Sequence, residues 1–399
     1  MLINRSIKSI LLIVGTSIGT GILALPLATA SSGVFSASLT LFICCIFMTL
    51  GAFYVTEVTL RLKENADFKT MARVTLGRTG EWGVSLTYVL LLYALTAMYI
   101  LVGGSWFLQL LKESQGLDLH SHIGTLIFAG CLMPVVFYGM RTVGRLNQYL
   151  TTALLLVFAY ILAKGTTHIV PTNFTGGEFW RTLLAIPLMI TSFGSSIVMP
   201  TLTAYLNKNV RALKVSLLVG SAITLGAYLL WEGVAFGVIG MQGPDGLIAL
   251  ADQPDNGTVI VLMLAKLTQD NWLATATRFF VIFAVMSSVL GVTLSLYHFI
   301  RDALNLPSTI PGRLKGIMAT FLPPVALLLL YPMGLQHILS LAGLFVALLL
   351  GLFPALMALR ARKQQPKAYK IWGGTLLIGL TILFFIYVVI QEILNLVHG

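Results

Sequence analysis

The sequence predicts an all-α polytopic membrane protein with eleven transmembrane helices, arranged as a 5+5 inverted repeat plus an eleventh helix. Three observations predict this fold: an apolar composition, eleven apolar runs of spanning length, and a glycine-rich interruption that occurs twice. Of the 399 residues, 57% are hydrophobic and 10% are charged, and the mean hydropathy is +0.91. An ordinary soluble domain carries about 25% charged residues. The chain is therefore expected to form one helical bundle in a lipid bilayer.

The apolar runs set the number of helices, because crossing the hydrocarbon takes about 20 residues of helix. The run at 315–331 is the shortest and contains Pro323 and Pro324, which disfavour a helix interior. We predict helices over 7–31, 34–60, 83–111, 122–140, 147–164, 180–206, 212–240, 273–300, 315–331, 337–359 and 370–396.

Positive charge is distributed unevenly between the two sides of these helices. Twenty of the 25 Lys and Arg residues lie in segments on the same side as the N-terminus. Cytoplasmic loops carry the excess of Lys and Arg, so the N-terminus is predicted in the cytoplasm and the C-terminus outside. This distribution accounts for the net charge of +11, and no nucleic acid partner is expected. The N-terminal run resembles a signal peptide, but it exceeds the 7 to 15 apolar residues of such a segment.

The interruption lies in the first run, where residues 15–26 read GTSIGTGILALP, and returns in the sixth, where residues 191–200 read TSFGSSIVMP. Glycine costs a helix interior roughly 1 kcal/mol and proline roughly 3 kcal/mol relative to alanine. Interrupted helices in corresponding positions of two halves indicate a transporter binding site near the bilayer midplane. We therefore predict repeats over 1–170 and 171–360, with 361–399 as an accessory helix. Small residues also allow close helix packing, which is the alternative for the glycines of either segment alone.

The broken backbone suits a zwitterionic amino acid. The positive end of a half-helix attracts a carboxylate, and freed carbonyl groups can accept hydrogen bonds from an ammonium group. We assign the carboxylate to the backbone of Ser17, Gly19, Thr20 and Gly21, and the ammonium group to carbonyls near Thr16 and Thr191. Ser192 and Gly194 belong to the second interruption and are included in the predicted site.

Aromatic residues beside the interruptions could contact a substrate side chain. Phe193 follows the second break directly and is the candidate to stack on an aromatic substrate, with core packing as the alternative. Tyr93, Thr96 and Tyr99 lie on helix three, and the last two share one face at i, i+3 spacing. A packing stripe would have the same spacing.

Two carboxylates occur within apolar runs, and an intramembrane ionisable group is a functional candidate by default. Glu232 lies deep in helix seven without a cation nearby in sequence, so we favour it for proton coupling. Glu57 lies four residues before Arg61, and an i, i+4 ion pair is its alternative role.

Four segments resemble the hydroxy and aromatic amino acid permease family, within the transporter superfamily that has a five-plus-five inverted repeat. They are GTSIGTGILALPL (15–27), LLYALTAMYILVGG (91–104), LAIPLMITSFG (184–194) and SSVLGVTLSL (287–296). The resemblance implies import of tyrosine or a related aromatic amino acid across a bacterial cytoplasmic membrane, driven by an ion gradient, with protons expected. Family members are expected to carry Phe-His after TSFG, where this chain has Ser195-Ser196.

Resemblance to sodium-coupled members of the superfamily implies that Ser287 and Ser288 could complete a sodium site with carbonyls of helix one. Hydroxyls that bond back to their own helix are the alternative. No other metal and no cofactor is expected, and a monomer is predicted. A small hydroxy amino acid such as serine remains an alternative substrate. No enzyme is expected: HExxH and P-loop motifs are absent from the sequence, which disfavours a zinc enzyme or an ATP-driven pump, and a channel is a weaker alternative.

Overall fold

The computed structural model describes residues 2–19, 21–62, 66–117, 119–138, 140–251, 256–307, 309–330, 335–366 and 368–398. Within these ranges every regular element is helical. The α-helices are α1 (Leu2–Ser17), α2 (Gly21–Ala28), α3 (Val34–Arg61), α4 (Phe68–Gln115), α5 (Ser121–Tyr138), α6 (Met140–Gly165), α7 (Thr182–Thr191), α8 (Met199–Tyr205), α9 (Val210–Ile239), α10 (Leu247–Ala251), α11 (Asn256–Thr268), α12 (Asn271–Ala303), α13 (Ile310–Leu330), α14 (Leu335–Val346), α15 (Phe353–Gln364) and α16 (Gly374–His398).

The eleven predicted runs all lie on helices. Nine helical stretches in the described ranges are long and apolar enough to cross a membrane. The shorter apolar helix at 122–138 and the pair α1 and α2 correspond to the two remaining predicted spans. The run containing Pro323 and Pro324 is helical as α13. The predicted fold class is confirmed, whereas the repeat boundaries stay a prediction, and the one at 360 lies inside α15.

Both predicted interruptions are breaks in helices. The first helix ends at Ser17 and resumes at Gly21 as α2. The sixth ends at Thr191 and continues through a 3-10 segment, Gly194–Val198, into α8. Thr20 lies outside the described residues.

Helix termini follow ordinary capping chemistry. The Asp67 carboxylate accepts a hydrogen bond from the Thr70 N–H at 2.7 Å and caps the N-terminus of α4. This helix begins fifteen residues before the predicted start of the third membrane-spanning helix. Gly77 makes this extension possible, because its φ of 79° bends the chain inside α4 in a conformation that favours glycine. At the start of α12, hydrogen bonds from the N–H groups of Leu273 and Trp272 lower the pKa of Asp270.

A wide helical turn joins α14 to α15. Residues Ala347–Leu352 between α14 and α15 are π-helical, and the Phe353 N–H donates to the Leu348 carbonyl five residues earlier. The α3 backbone lies directly against this segment, since a Cβ on Gly51 would collide with the Leu350 carbonyl oxygen. Such π-turns occur frequently at functional sites.

The packing of α9 sets the position of the breaks. It lies against α1, α2 and α3, and α12 packs against α4 and α6. The segment between α9 and α12 contains α10 and α11, and α11 packs on α2, α9 and α12.

Candidate functional site

The two broken helices pack side by side and run in opposite directions. The first half-helix, α1, packs against the 3-10 segment after the second break, whereas α2 packs against α7, which precedes that break. This crossed arrangement brings the ends of four half-helices to one level of the bundle. Such ends leave backbone N–H and C=O groups without partners in their own helix.

A buried tyrosine on α9 joins the two breaks. The Tyr228 hydroxyl lies 2.6 Å from the Ser17 carbonyl oxygen and 2.7 Å from the Ser192 carbonyl oxygen. Its side chain is fully buried. The carbonyls of Ser17 and Ser192 thus converge on one point, as the predicted ammonium site requires. Tyr228 was not among the predicted site residues.

The same face of α9 contacts α2, which is the second half of the first broken helix. Trp231 donates its indole N–H to the Ile22 carbonyl at 2.7 Å, in the first turn of α2. The Thr29 hydroxyl, just after α2, lies 3.1 and 3.3 Å from the Glu232 carboxylate oxygens and 3.0 Å from the Leu25 carbonyl oxygen, and its one hydrogen is shared among these acceptors. Residues 228, 231 and 232 share one helix face at i, i+3 and i+4 spacing. Glu232 is 0% exposed, so its contact with Thr29 links a buried carboxylate to the broken helix.

The first interruption also contacts α12. A Cβ on Gly19 would lie 2.9 Å from the Ser288 Oγ, so the helix-one backbone passes very close to this hydroxyl. Ser287 instead donates to the Ala284 carbonyl at 3.2 Å on its own helix. Ser288 is therefore the better placed of the two serines to face helix one. Gly21 begins α2, and the Thr16 hydroxyl bonds back to the Leu12 carbonyl at 2.6 Å.

Around the second interruption, hydroxyls of Thr191 and Ser192 bond back to the Leu188 carbonyl at 2.6 and 3.3 Å. Phe193 is 3% exposed and packs edge-on against Tyr228, with ring centroids 5.3 Å apart. This contact fits the core-packing alternative, and a stacking role stays a prediction. A Cβ on Gly194 would meet no atom of the described residues within 4 Å, so this position borders open space among them.

Two buried hydroxyls near the predicted site have no hydrogen-bond partner in the described part of the chain. They are Thr96 Oγ1 on α4 and Ser196 Oγ in the 3-10 segment. Buried polar groups are usually satisfied, and exceptions mark places where another group can bind. Ser196 stands where the family resemblance implied histidine.

The helix-three tyrosines differ in their surroundings. Tyr99 is buried and lies within electrostatic range of Tyr228. Tyr93 donates its hydroxyl to the Ala319 carbonyl on α13 at 2.8 Å, and α13 packs against α4, α5 and α12. This contact favours the packing alternative for Tyr93, and its pocket role stays a prediction.

Glu57 belongs to a buried charge network at the end of α3. Its carboxylate lies 2.8 Å from Arg61 Nη2 and accepts both Nε and Nη2 of Arg362, at 2.8 and 2.7 Å. The Ile371 N–H also donates to it at 3.0 Å. These contacts favour the ion-pair alternative for Glu57, extended by a second arginine from α15.

Comparison with known proteins gives this arrangement a context. The profile of the tryptophan/tyrosine permease family matches residues 3–392. The chain belongs to this family. The expected membership of an aromatic amino acid permease family is thereby confirmed.

Relatives of this chain carry transport names. Tyrosine-specific transport system 1 of Haemophilus influenzae is 33% identical over 377 residues, which cover 94% of this chain and 92% of that protein. The tryptophan-specific transport protein of Pseudomonas aeruginosa is 32% identical over 97% of this chain and 94% of its own length. The permease is therefore a membrane transport protein, not an enzyme.

A solved structure shares the fold. Mhp1, described as a nucleobase-cation-symport-1 family transporter in a closed conformation with bromovinylhydantoin bound, superposes with a TM-score of 0.62 at 14% identity. The match covers 98% of this permease and 90% of Mhp1. At this identity the likeness shows the fold alone.

Proposed function

We propose that this permease imports an aromatic amino acid, tyrosine in the first instance, by proton symport with alternating access. The observation that carries the proposal is the convergence of the Ser17 and Ser192 carbonyls from the two breaks on one buried point. Relatives named for tyrosine and for tryptophan support an aromatic substrate. The protein is proposed to act as a monomer in a bacterial cytoplasmic membrane, with its N-terminus in the cytoplasm.

Backbone groups at the breaks supply charge complementarity for such a substrate. The N-terminus of α2 begins at Gly21, and the positive end of a helix favours the substrate carboxylate. Carbonyls of Ser17 and Ser192 accept hydrogen bonds from the ammonium group. The open space beside Gly194 leaves room for a side chain next to the second break.

Uptake into proteoliposomes tests this function. We expect labelled tyrosine to accumulate when a proton gradient is imposed, and unlabelled tryptophan to compete with it more strongly than serine. The matched control uses the same vesicles with the gradient collapsed. Equal uptake with and without proton and sodium gradients would contradict symport, and stronger competition by serine would replace the aromatic substrate with a small hydroxy amino acid.

Glu232 is the proposed proton-coupling group. Glu232→Gln keeps the shape of the side chain and an oxygen that can accept from Thr29, so we expect a folded protein that binds substrate. Proton-driven accumulation should fall by roughly tenfold or more, equivalent to about 1.4 kcal/mol, and its pH dependence should flatten, because the amide cannot take up a proton. Uptake as a function of external pH measures this.

The chain offers a matched control for Glu232. Glu392 on α16 is also buried and bonded to a hydroxyl, that of Ser340 on α14. Glu392→Gln should leave the pH dependence unchanged. An unaltered pH profile in Glu232→Gln would exclude Glu232 and return the prediction to Glu57.

Sodium coupling is the second candidate, favoured by the close approach of Gly19 to Ser288. A hydroxyl oxygen and carbonyls of an unwound helix are hard ligands that suit an alkali cation. Accumulation driven by a sodium gradient alone, and lost in Ser288→Ala but not Ser287→Ala, would support sodium over protons.

A further inference from the structure

We propose that Tyr228 is a positioning residue whose single hydroxyl hydrogen holds the Ser17 and Ser192 carbonyls together as an acceptor pair for the ammonium group of the substrate. This inference rests on the proposed function and deepens it, because it adds a residue of α9 to the backbone carbonyls that the two breaks supply.

The geometry of the hydroxyl carries the proposal. Two carbonyl oxygens lie within 2.6 and 2.7 Å of Tyr228 Oη, yet a phenol has one hydrogen to donate. The hydrogen is therefore shared between two acceptors or donated to one at a time. Each carbonyl oxygen has two lone pairs, so both keep acceptor capacity beyond what Tyr228 uses.

Without this hydrogen the two carbonyls would face each other with like partial charges. In a low-dielectric interior such a repulsion is weakly screened, and an unsatisfied buried acceptor is costly. The O–H reduces both effects and keeps the oxygens near one point before substrate arrives. An ammonium group, with three donors, can then add to acceptors that are already oriented.

Neighbouring contacts hold Tyr228 in place. Its ring packs edge-on against Phe193 of the second interruption, and Trp231, one turn later, fixes the Ile22 carbonyl of α2 at 2.7 Å. The residue is 0% exposed, so water does not compete for its hydrogen. One face of α9 therefore orients backbone acceptors from both breaks.

The main test compares two ligands in Tyr228→Phe. Tyrosine carries the ammonium group, and 3-(4-hydroxyphenyl)propionate is the same molecule without it. We expect the Kd of tyrosine to rise roughly tenfold, whereas the Kd of the des-amino acid changes by less than about twofold. A general packing defect would weaken both ligands alike and would overturn the proposal, as would tighter tyrosine binding, which would make Tyr228 a competitor of the ammonium group.

Tyr54→Phe is the matched control. Tyr54 is also fully buried, and its hydroxyl lies 3.4 Å from the Thr381 Oγ1 on α16, which is not part of either break. Removing this hydroxyl should leave the ratio of the two dissociation constants unchanged.

Replacing Tyr228 with 4-aminophenylalanine provides a rescue. Its para-amino group has two N–H donors and can satisfy both carbonyls, so we expect tyrosine affinity near that of the wild type. If Tyr228→Phe does not fold, this variant still decides the question, because weak binding by a folded protein with two donors would overturn the proposal.

A measurement without substrate separates this proposal from the proposed function. Amide hydrogen exchange in the ligand-free protein should become faster at both interruptions, residues 15–25 and 189–199, in Tyr228→Phe but not in Tyr54→Phe. Unchanged exchange would overturn the positioning role. Failure of the wild type to bind either aromatic amino acid, with the exchange result intact, would instead refute the substrate assignment.

Discussion

Gly19→Leu is expected to abolish substrate binding in a protein that still folds and inserts. A Cβ at this position would already lie 2.9 Å from Ser288 Oγ, so a larger side chain must displace α12 or fill the space beside the break. The change falls between Ser17 and Gly21, where the two half-helices end and begin. We expect no saturable binding of labelled tyrosine to the purified protein.

Two variants control for this result. Gly19→Ala adds only the Cβ, and the Ser288 hydroxyl must shift to accommodate it, so we expect affinity to fall by about tenfold, or about 1.4 kcal/mol. Gly130→Leu on α5 introduces the same side chain where a Cβ would meet no described residue within 4 Å, and this variant should bind tyrosine as the wild type does. Circular dichroism and size-exclusion chromatography report the fold, and wild-type affinity in folded Gly19→Leu would refute the site.

Glu57→Gln is expected to destabilise the protein by about 3–5 kcal/mol, the usual cost of removing one partner of a buried ion pair. Arg61 and Arg362 are 3% and 7% exposed, and Glu57 is the acid that pairs with both. Their guanidinium groups also donate to the Tyr369 and Gly374 carbonyls, at 2.8 and 2.6 Å. Losing the carboxylate would leave two buried cations and release the segment before α16. Thermal unfolding in detergent measures the effect.

An exposed pair offers the contrast. Asp245 and Lys266 are 2.8 Å apart, with side chains 49% and 62% exposed, and Asp245→Asn should cost no more than about 1 kcal/mol. Combining Glu57→Gln with Arg362→Gln should recover part of the lost stability. If Glu57→Gln unfolds like the wild type but loses its proton dependence, Glu57 is the coupling group and not a structural one.

Local chemistry explains why the breaks were predictable. Gly15, Gly19 and Pro26 disfavour a continuous helix whatever surrounds them, and the same residue types recur at 191–200. Both segments are interrupted in the structure. The partner that joins them was not predictable in this way, because Tyr228 lies 211 residues from Ser17. The sequence did contain one indication of this contact, because Tyr228, Trp231 and Glu232 place polar atoms on one face of an otherwise apolar helix.

The tyrosines of α4 show a limit of spacing arguments. Six residues separate Tyr93 from Tyr99, which puts their side chains about 120° apart around an α-helix. Tyr93 donates to a carbonyl of α13, whereas Tyr99 lies within electrostatic range of Tyr228. Periodicity shows that two side chains point in different directions, but it does not show which direction leads to the site.

For Glu57, sequence proximity revealed only half of the network. The i, i+4 spacing suggested Arg61, whereas Arg362 is 305 residues away and becomes a neighbour through the packing of α15 on α3.

The π-helical turn between α14 and α15 changes the direction in which the side chains of α15 point. An α-helix advances about 100° per residue, so the one additional residue in Ala347–Leu352 rotates all of α15 by that angle relative to α14. α14 can then present its side chains to α4, α7 and α16, while α15 presents Arg362 to α3. The Arg362–Glu57 ion pair therefore depends on the number of residues in the turn that ends ten residues before Arg362, as much as on the identity of the two charges.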